Sequence, residues 1–525
     1  MAIRNYNKMK FIRCILCFLI WQTTYAQENA INPILYADVP DMSIIRVGDT
    51  YYMSSTTMHM SPGLPLMSSK DLVNWKLESY AYDTLVNNDA MRLENGQSAY
   101  GRGSWASCLR YHHGMFYVST FSATSGKTHI YTSTNIKGPW KEKSFSPAYH
   151  DHTLFFDDDG KVYMIYGVGN LKILEMKSDL SGINTDVPER VLIENASAPA
   201  GNNILLRAEG SQLFKIQGKY YLFNITWPRG GMRTVVIHRA ENLQGPWEGT
   251  LGLQDRGVAQ GGLINTPDDR WFAYLFRDNG GVGRIPYLVP VQWVDGWPVL
   301  GENSKVPIKL SLPANKSLIP GIVHSDEFKR KKKNKNTLPL VWQWNHNPVN
   351  SLWSLKDRKG FLRLKTGRTD TSFVLARNTL TQRTIGPECS GNTALDVSGM
   401  KEGDFAGLCL LQKNFGQLGV KRIGNQKQIV LTTMKNNVLE ESQNIPLDQN
   451  RVYFKATCDF KEQKDIAQFY YSLDGKKWQP IGDLMKMPYT LPHFMGYRFG
   501  LFNYATEQIG GYADFDYFRI TNSIK

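Results

Sequence analysis

Three carboxylates stand at one recurring position of this chain. Five segments share a shape: "DMSIIRVGDTYYMSS" from Asp41, "WASCLRYHHGMFYVST" from Trp105, "DHTLFFDDDGKVYMIY" from Asp151, "EGSQLFKIQGKYYLFN" from Glu209 and "QGGLINTPDDRWFAYL" from Gln260. Acids are ordinarily depleted in inner strands, so Asp41, Asp151 and Glu209 at matching places call for a reason beyond packing. Like charges crowded together push at least one proton affinity upward, which leaves one carboxyl protonated near neutral pH while another stays ionised. Hydrolysis of a glycosidic bond needs that division: an acid to protonate the leaving oxygen, and a base to activate water or a carboxylate to attack. The third acid can tune the donor, and Trp105 offers a flat apolar face for a sugar ring.

The elements that must hold these residues are hairpins. Each copy reads as an apolar strand, a turn rich in Gly or Asp, and a second strand opening on an apolar or aromatic residue followed by an aromatic one. The distance from the opening residue to that aromatic is 11 positions in the first copy and 12 in the other four. A second signature follows each hairpin: "SSKDLVNW", "STNIKGPW", "MKSDLSGI", "RAENLQGPW" and "VQWVDGWPVL", read as an outer strand and exit turn. The copies start 46 to 64 residues apart, which suits four-stranded blades with loops. A five-bladed β-propeller over roughly residues 30–310 is therefore expected, with the five opening residues converging on one axial funnel. The aspartates of "FFDDDGK" are consecutive rather than alternating, so they read as a hairpin turn and not as a calcium loop. In "NITWPRGGMRT", Trp227 and Arg229 follow the Glu209 hairpin and either border the sugar pocket or pack the blade edge.

The pattern changes after about residue 322. A Lys/Arg-rich stretch, "KRKKKNK" at Lys329–Lys335, lies in an expected linker, 311–335, and short alternating strands return over 336–525 as an antiparallel β-sandwich. The whole chain is thus expected to be all-β. The sandwich shows no catalytic constellation and is expected to act as a lid or buttress.

Composition sets the frame. The 525 residues are 42% hydrophobic and 12% aromatic, ample for buried cores. Residues 1–26 read as a signal peptide, with Arg4, Lys8, Lys10 and Arg13 ahead of the apolar "CILCFLIW", which is too short to span a bilayer. A secreted or periplasmic protein with no integral membrane segment in its mature form is expected. Cys108, Cys389, Cys409 and Cys458 are scattered and read as buried free thiols. The formal charge of +14 falls to 14 − 4 = +10 without the signal, and with no recognition module beside it this does not argue for nucleic acid as a partner. Oligomeric state is not legible.

Four motifs in order, "NPILYADVPDMSIIRVGDTYYMSSTT…GLPLMSSKDLVNW", "YHDHTLFFDDDGKVYMIYG", "AEGSQLFKIQGKYYLF" and "VGRIPYLVPVQWVDGWPVL", resemble glycoside hydrolase family 43, the inverting β-xylosidases and α-L-arabinofuranosidases. The later strands resemble the concanavalin-like domain that follows the propeller in many members. The resemblance implies Asp41 as general base, Glu209 as general acid and Asp151 as the aspartate that raises and orients the acid. It implies Arg284, in "VGRIPY", in the substrate pocket, alongside the stacking Trp105. The chain departs from the pattern at Met42, at His152 and in the "GSQ" after Glu209. Gln260 occupies the place where many members carry a histidine associated with a central metal ion. No cofactor is expected for catalysis, no metal ligand is assigned, and a structural Ca2+ is left open.

The expected activity is removal of a terminal β-D-xylosyl or α-L-arabinofuranosyl unit from plant-type oligosaccharides or polysaccharides, with inversion. Two alternatives stand beside it: a retaining fructan-type hydrolase with Asp41 as nucleophile, and a catalytically inactive sugar-binding protein.

Overall fold

The structure, a computed structural model, describes residues 29–331, 336–442 and 444–525. The signal-peptide reading lies outside these residues, as does part of the basic run.

Five antiparallel sheets of four strands each follow one another along the chain. Blade one is Ser43–Val47, Thr50–Ser54, Gly63–Ser69 and Lys76–Tyr82. The opening strands of the other four are Cys108–His112, Thr153–Phe156, Ile204–Ile216 and Ala259–Asn265. Each opening strand packs against those of both neighbouring blades, and the fifth returns to the first, so they ring a common axis. The expected five-bladed propeller is present.

Turn chemistry sets the hairpins. His113-Gly114 and Gln217-Gly218 connect the first two strands of blades two and four with positive φ at both residues, the twist-matched geometry of a two-residue turn. In blades three and five the loop is one residue longer and is closed by Asp157 N–H to Lys161 O and Thr266 N–H to Arg270 O. The "DDDG" aspartates form such a turn. Asp157 does more than turn the chain: it accepts from Tyr220 at 2.7 Å and pairs with Lys215 at 3.0 Å, tying blade three to blade four. The "GPW" exit turns repeat closely, since a Cβ on Gly138 or Gly245 would lie 3.1 Å from Cδ1 of Trp140 or Trp247, and both glycines have positive φ.

The ring is fastened by the chain ends of the propeller. Asn29–Ile31 pairs with Lys309–Pro313, and the amide of Asn32 bonds to Leu288 O at 2.7 Å and Pro307 O at 2.9 Å.

Two sheets build the second domain. One runs from Val438–Glu441 through Asp404–Leu411 and Arg498–Ala505 to Gln343–Asn345, and the other contains Glu388–Asp396, Arg451–Asp459 and Tyr512–Thr521. Cys389, Cys409 and Cys458 are buried here as free thiols, and Cys108 is buried in blade two. The described part of the expected linker is not slack. Val323 and Phe328 are fully buried, and Asp326 exchanges backbone hydrogen bonds with Phe518, because the apolar "GIV" and "EF" residues find the sandwich core.

The two domains share one hydrophobic core and one sheet. Met60–Ser61, in a loop of blade one, pairs with Trp344 and Asn345 and so adds an edge strand to the sandwich. At Gly496 a Cβ would meet Val282 O at 2.2 Å, so only glycine permits this approach of sandwich to blade five. Among the described residues no helix is long and apolar enough to cross a membrane.

Candidate active site

The strand ladders sharpen the repeat. In every blade the residue two places before the pairs Ser43↔Ser54, Cys108↔Ser119, Thr153↔Ile165, Gln212↔Phe223 and Gly262↔Tyr274 occupies the same position. Those residues are Asp41, Ala106, Asp151, Gly210 and Gln260. Trp105 and Glu209 therefore sit one residue earlier than the repeat suggests, in a second ring with Pro40, His150 and Ala259. The count of 12 hid this: blades two and four gain their extra residue by starting one place early, blades three and five by a longer turn. Asp41, Asp151 and Gln260 have φ of 49°, 45° and 54°, left-handed backbone that turns the chain into the funnel, and Gly210 follows at 66°.

Asp41 and Asp151 are each 7% exposed. Arg284, from the start of Arg284–Val294, is also buried and places Nη1 2.8 Å from both oxygens of Asp41. Its backbone N–H donates to Asp38 at 2.8 Å, which fixes its entry into the pocket. Burial pushes the Asp41 carboxyl up from its ordinary value, and the charge and hydrogen bond of Arg284 oppose that rise. Burial also pushes Asp151 up, to about 7; the Glu209 and Asp41 charges add to this, and His150 and Arg284 work against it.

His150 is the member that the repeat did not single out. Its Nε2 lies 3.1 Å from Glu209 Oε2 and 3.8 Å from Asp151 Oδ2. Burial pulls the imidazole down, yet the Glu209 hydrogen bond and the charges of Asp151, Glu209 and Asp41 outweigh it and push His150 up to about 9. The signal was adjacent, in "YHDH", but a histidine beside a better candidate reads as a neighbour. His152 faces the other way, held by Tyr149 O and Ser119 Oγ at 2.9 Å each.

The sandwich completes the pocket. Phe494, on the segment between Gln479–Lys486 and Arg498–Ala505, stacks on Trp105 with ring centroids 5.4 Å apart. The Arg284 guanidinium lies 4.4 Å from the Phe494 ring centre. The indole N–H of Trp105 and Nε of Arg284 are buried donors without acceptors among the described residues. The lid expectation for the sandwich thus has a residue attached to it.

Gln260 folds over Gly210, where a Cβ would lie 2.8 Å from its Nε2. Trp227 stands apart on Lys219–Pro228, opposite Leu206; its indole bonds Gly231 O at 3.1 Å and the Arg233 guanidinium sits 5.4 Å from its ring centre. No hydrogen bond or aromatic contact among the described residues joins Trp227 to the carboxylates. Arg229 is exposed on the same rim.

Beneath the acids lies an axial cavity of about 10 Å³, lined among others by Asp41, Asp151, Ser107, Ser211, Gln212 and Gln260. Its size suits about one water molecule. Arg110 reaches across the axis below, to Thr153 Oγ1 at 2.6 Å, Gln212 Oε1 at 3.3 Å and Leu154 O at 2.9 Å. Ser107 is turned to Ser54 and Ser211 to Asn224, so both hydroxyls already have partners.

Paired carboxylates in a half-dry funnel, an arginine on one of them and aromatic walls define a propeller glycosidase. Residues 30–298 match glycosyl hydrolases family 43, and residues 325–521 match the beta xylosidase C-terminal concanavalin A-like domain. The chain is 31% identical to a beta-xylosidase of Formosa agariphila, over 93% of this chain and 89% of that one. It is 28% identical to a non-reducing end alpha-L-arabinofuranosidase of Bacteroides ovatus, over 83% of this chain and 84% of that one. A solved bifunctional GH43-CE protein of Bacteroides eggerthii superposes with a TM-score of 0.93 and 65% identity, over 95% of this chain. This chain spans 64% of that protein's length. The chain belongs to glycosyl hydrolase family 43.

Proposed function

We propose that this glycosidase is exported and removes single terminal pentosyl units, β-D-xylosyl or α-L-arabinofuranosyl, from xylan-type chains with inversion. The relatives named for those two sugars support the substrate class. The observation that carries the reading is the convergence of three carboxylates on one funnel, with Asp41 held by Arg284 at 2.8 Å and with Glu209 and Asp151 lying 3.1 and 3.8 Å from His150 Nε2. Asp41, paired to Arg284, takes a proton from the attacking water while Glu209 protonates the leaving oxygen. Trp105 and Phe494 form the walls for the sugar ring, and the closing of the funnel by the sandwich favours attack at a chain end. Trp227 and Arg229 belong to the outer rim and Gln260 to the floor.

The axis does not suit a central Ca2+. The cavity holds about one water, its serine hydroxyls are partnered, and Arg110 already supplies a cation that would repel another. Catalysis needs no cofactor in this account.

Release of nitrophenol from 4-nitrophenyl β-D-xylopyranoside and α-L-arabinofuranoside, measured side by side, tests the substrate class. Turnover of one or both, abolished by Glu209→Ala, is expected. No turnover of either, or turnover unchanged in Glu209→Ala, contradicts it. Export is tested by locating the processed chain in cell fractions, where a wholly cytosolic, unprocessed chain would contradict it.

A further inference from the structure

His150 occupies a place in the funnel that the roles above leave unassigned. It lies in the same ring as Trp105 and Glu209, on the blade between theirs. Its ring is 5.1 Å from Phe121 and 6.4 Å from Trp105, edges that fix the imidazole plane, and its Nε2 points at Glu209 Oε2 at 3.1 Å. His150 and Glu209 are partly open to the funnel, with side chains 37% and 19% exposed. The charged and titratable groups facing the pair are Asp151 and Asp41, with Arg284 behind Asp41 and His152 turned away on the next strand position.

We propose that His150 is a positioning residue for the acid: its Nε2–H holds Glu209 by Oε2 and turns Oε1 toward the leaving oxygen. This deepens the reading of Glu209 as general acid and rests on it.

The chemistry has a defined balance. In the reactive state Glu209 carries its proton on Oε1 and His150 Nε2–H donates to Oε2. As the glycosidic C–O bond breaks, the Oε1 proton passes to the leaving oxygen, and the negative charge left on Glu209 is met by the imidazolium. The hydrogen bond to Oε2 therefore favours the proton donation. The benefit is greatest for poor leaving groups such as a second sugar, which leave only when protonated.

The alignment of histidine with two acids also separates this role from simple packing. A packing residue would be replaced by an apolar ring of similar size without changing the dependence on the leaving group. An imidazolium would not.

The test compares wild type, His150→Gln and His150→Phe on xylobiose or an arabinofuranosyl oligosaccharide and on the corresponding nitrophenyl glycoside, across pH 4 to 10. His150→Gln keeps a hydrogen-bond donor and loses the charge; His150→Phe keeps bulk only. Both are expected to lower kcat on the sugar leaving group by about tenfold and on nitrophenol much less, with Phe worse than Gln. Thermal melting and near-UV circular dichroism establish that each variant is folded, and a variant that fails this check is replaced by His150→Asn. An equal loss on both leaving groups in a folded variant overturns the proposal. Failure of the acid assignment itself would show differently, as full turnover of the disaccharide by Glu209→Gln.

Discussion

One nitrogen of Arg284, Nη1, stands 2.8 Å from each carboxylate oxygen of Asp41, with both residues almost wholly buried. The proposed reaction has Asp41 ionised so that it can take a proton from water, and burial works against that ionisation. The guanidinium offsets the cost. In Arg284→Met the acid limb of kcat/KM should move to higher pH, with a loss of about 100-fold or more at pH 6. The fold should lose roughly 3–5 kcal/mol, because one charge of a buried pair is left alone. Initial rates across pH and thermal melting check both; an acid limb that stays in place would remove Arg284 from this role.

Glu209→Gln keeps the shape of the acid and removes its proton. Turnover of a sugar leaving group should fall by about 10²–10⁴, and that of a nitrophenyl glycoside by less, since nitrophenolate departs without much help. Equal losses on the two substrates would assign Glu209 to binding rather than proton donation.

Asp151 makes stability depend on pH in a defined direction. Its folded value of about 7 lies above the ordinary 3.8, so the unfolded chain ionises first as pH rises. Its contribution is fully present below about pH 4 and is lost as pH climbs through 7. His150, at about 9, contributes stability that is fully present below pH 6.5 and is lost as pH rises from there through 9. Asp151→Asn should therefore raise the melting temperature at pH 8 and change it little at pH 4, while turnover falls. Calorimetry at the two pH values checks this, and a lower melting point at pH 8 would contradict it.

Phe494 belongs to one domain and acts in the other. Phe494→Ala removes a wall of the pocket and the ring against Arg284, so kcat/KM on pentosides should fall about 10- to 100-fold, mostly through KM. The melting temperature should change by no more than a few degrees, since the ring is only half-buried in the free protein. A variant with wild-type KM would mean that the sandwich encloses the site without touching the sugar.

The periodic part of this molecule was legible in its sequence. Five hairpins with aromatic second strands could hardly form anything but blades, and the carboxylates at their starts named the funnel. The phase of the repeat was less visible, because a strand begun one residue early and a turn made one residue longer give the same count of 12. That ambiguity placed Glu209 and Trp105 among the residues of Asp41 and Asp151, when they form their own ring with His150. Arg284 came only from family resemblance, since nothing in the repeat points to the third strand of blade five. Phe494 had no signal at all: it reaches the site through a contact between domains, 210 to 453 residues away in sequence from Arg284, Trp105 and Asp41. The described part of the linker is packed for a related reason. A basic run suggests solvent, but the apolar residues before it, Val323 and Phe328, are held by the sandwich core.

The central claim is that Asp41 activates a water molecule while Glu209 protonates the leaving oxygen from the opposite side. The anomeric configuration of the first sugar released, followed by proton NMR before mutarotation sets in, tests it most directly. Inversion, with α-xylose appearing first from a β-xyloside or β-arabinofuranose from an α-arabinofuranoside, is the predicted result. First release of the anomer that matches the substrate would mean a covalent intermediate, and would contradict the account.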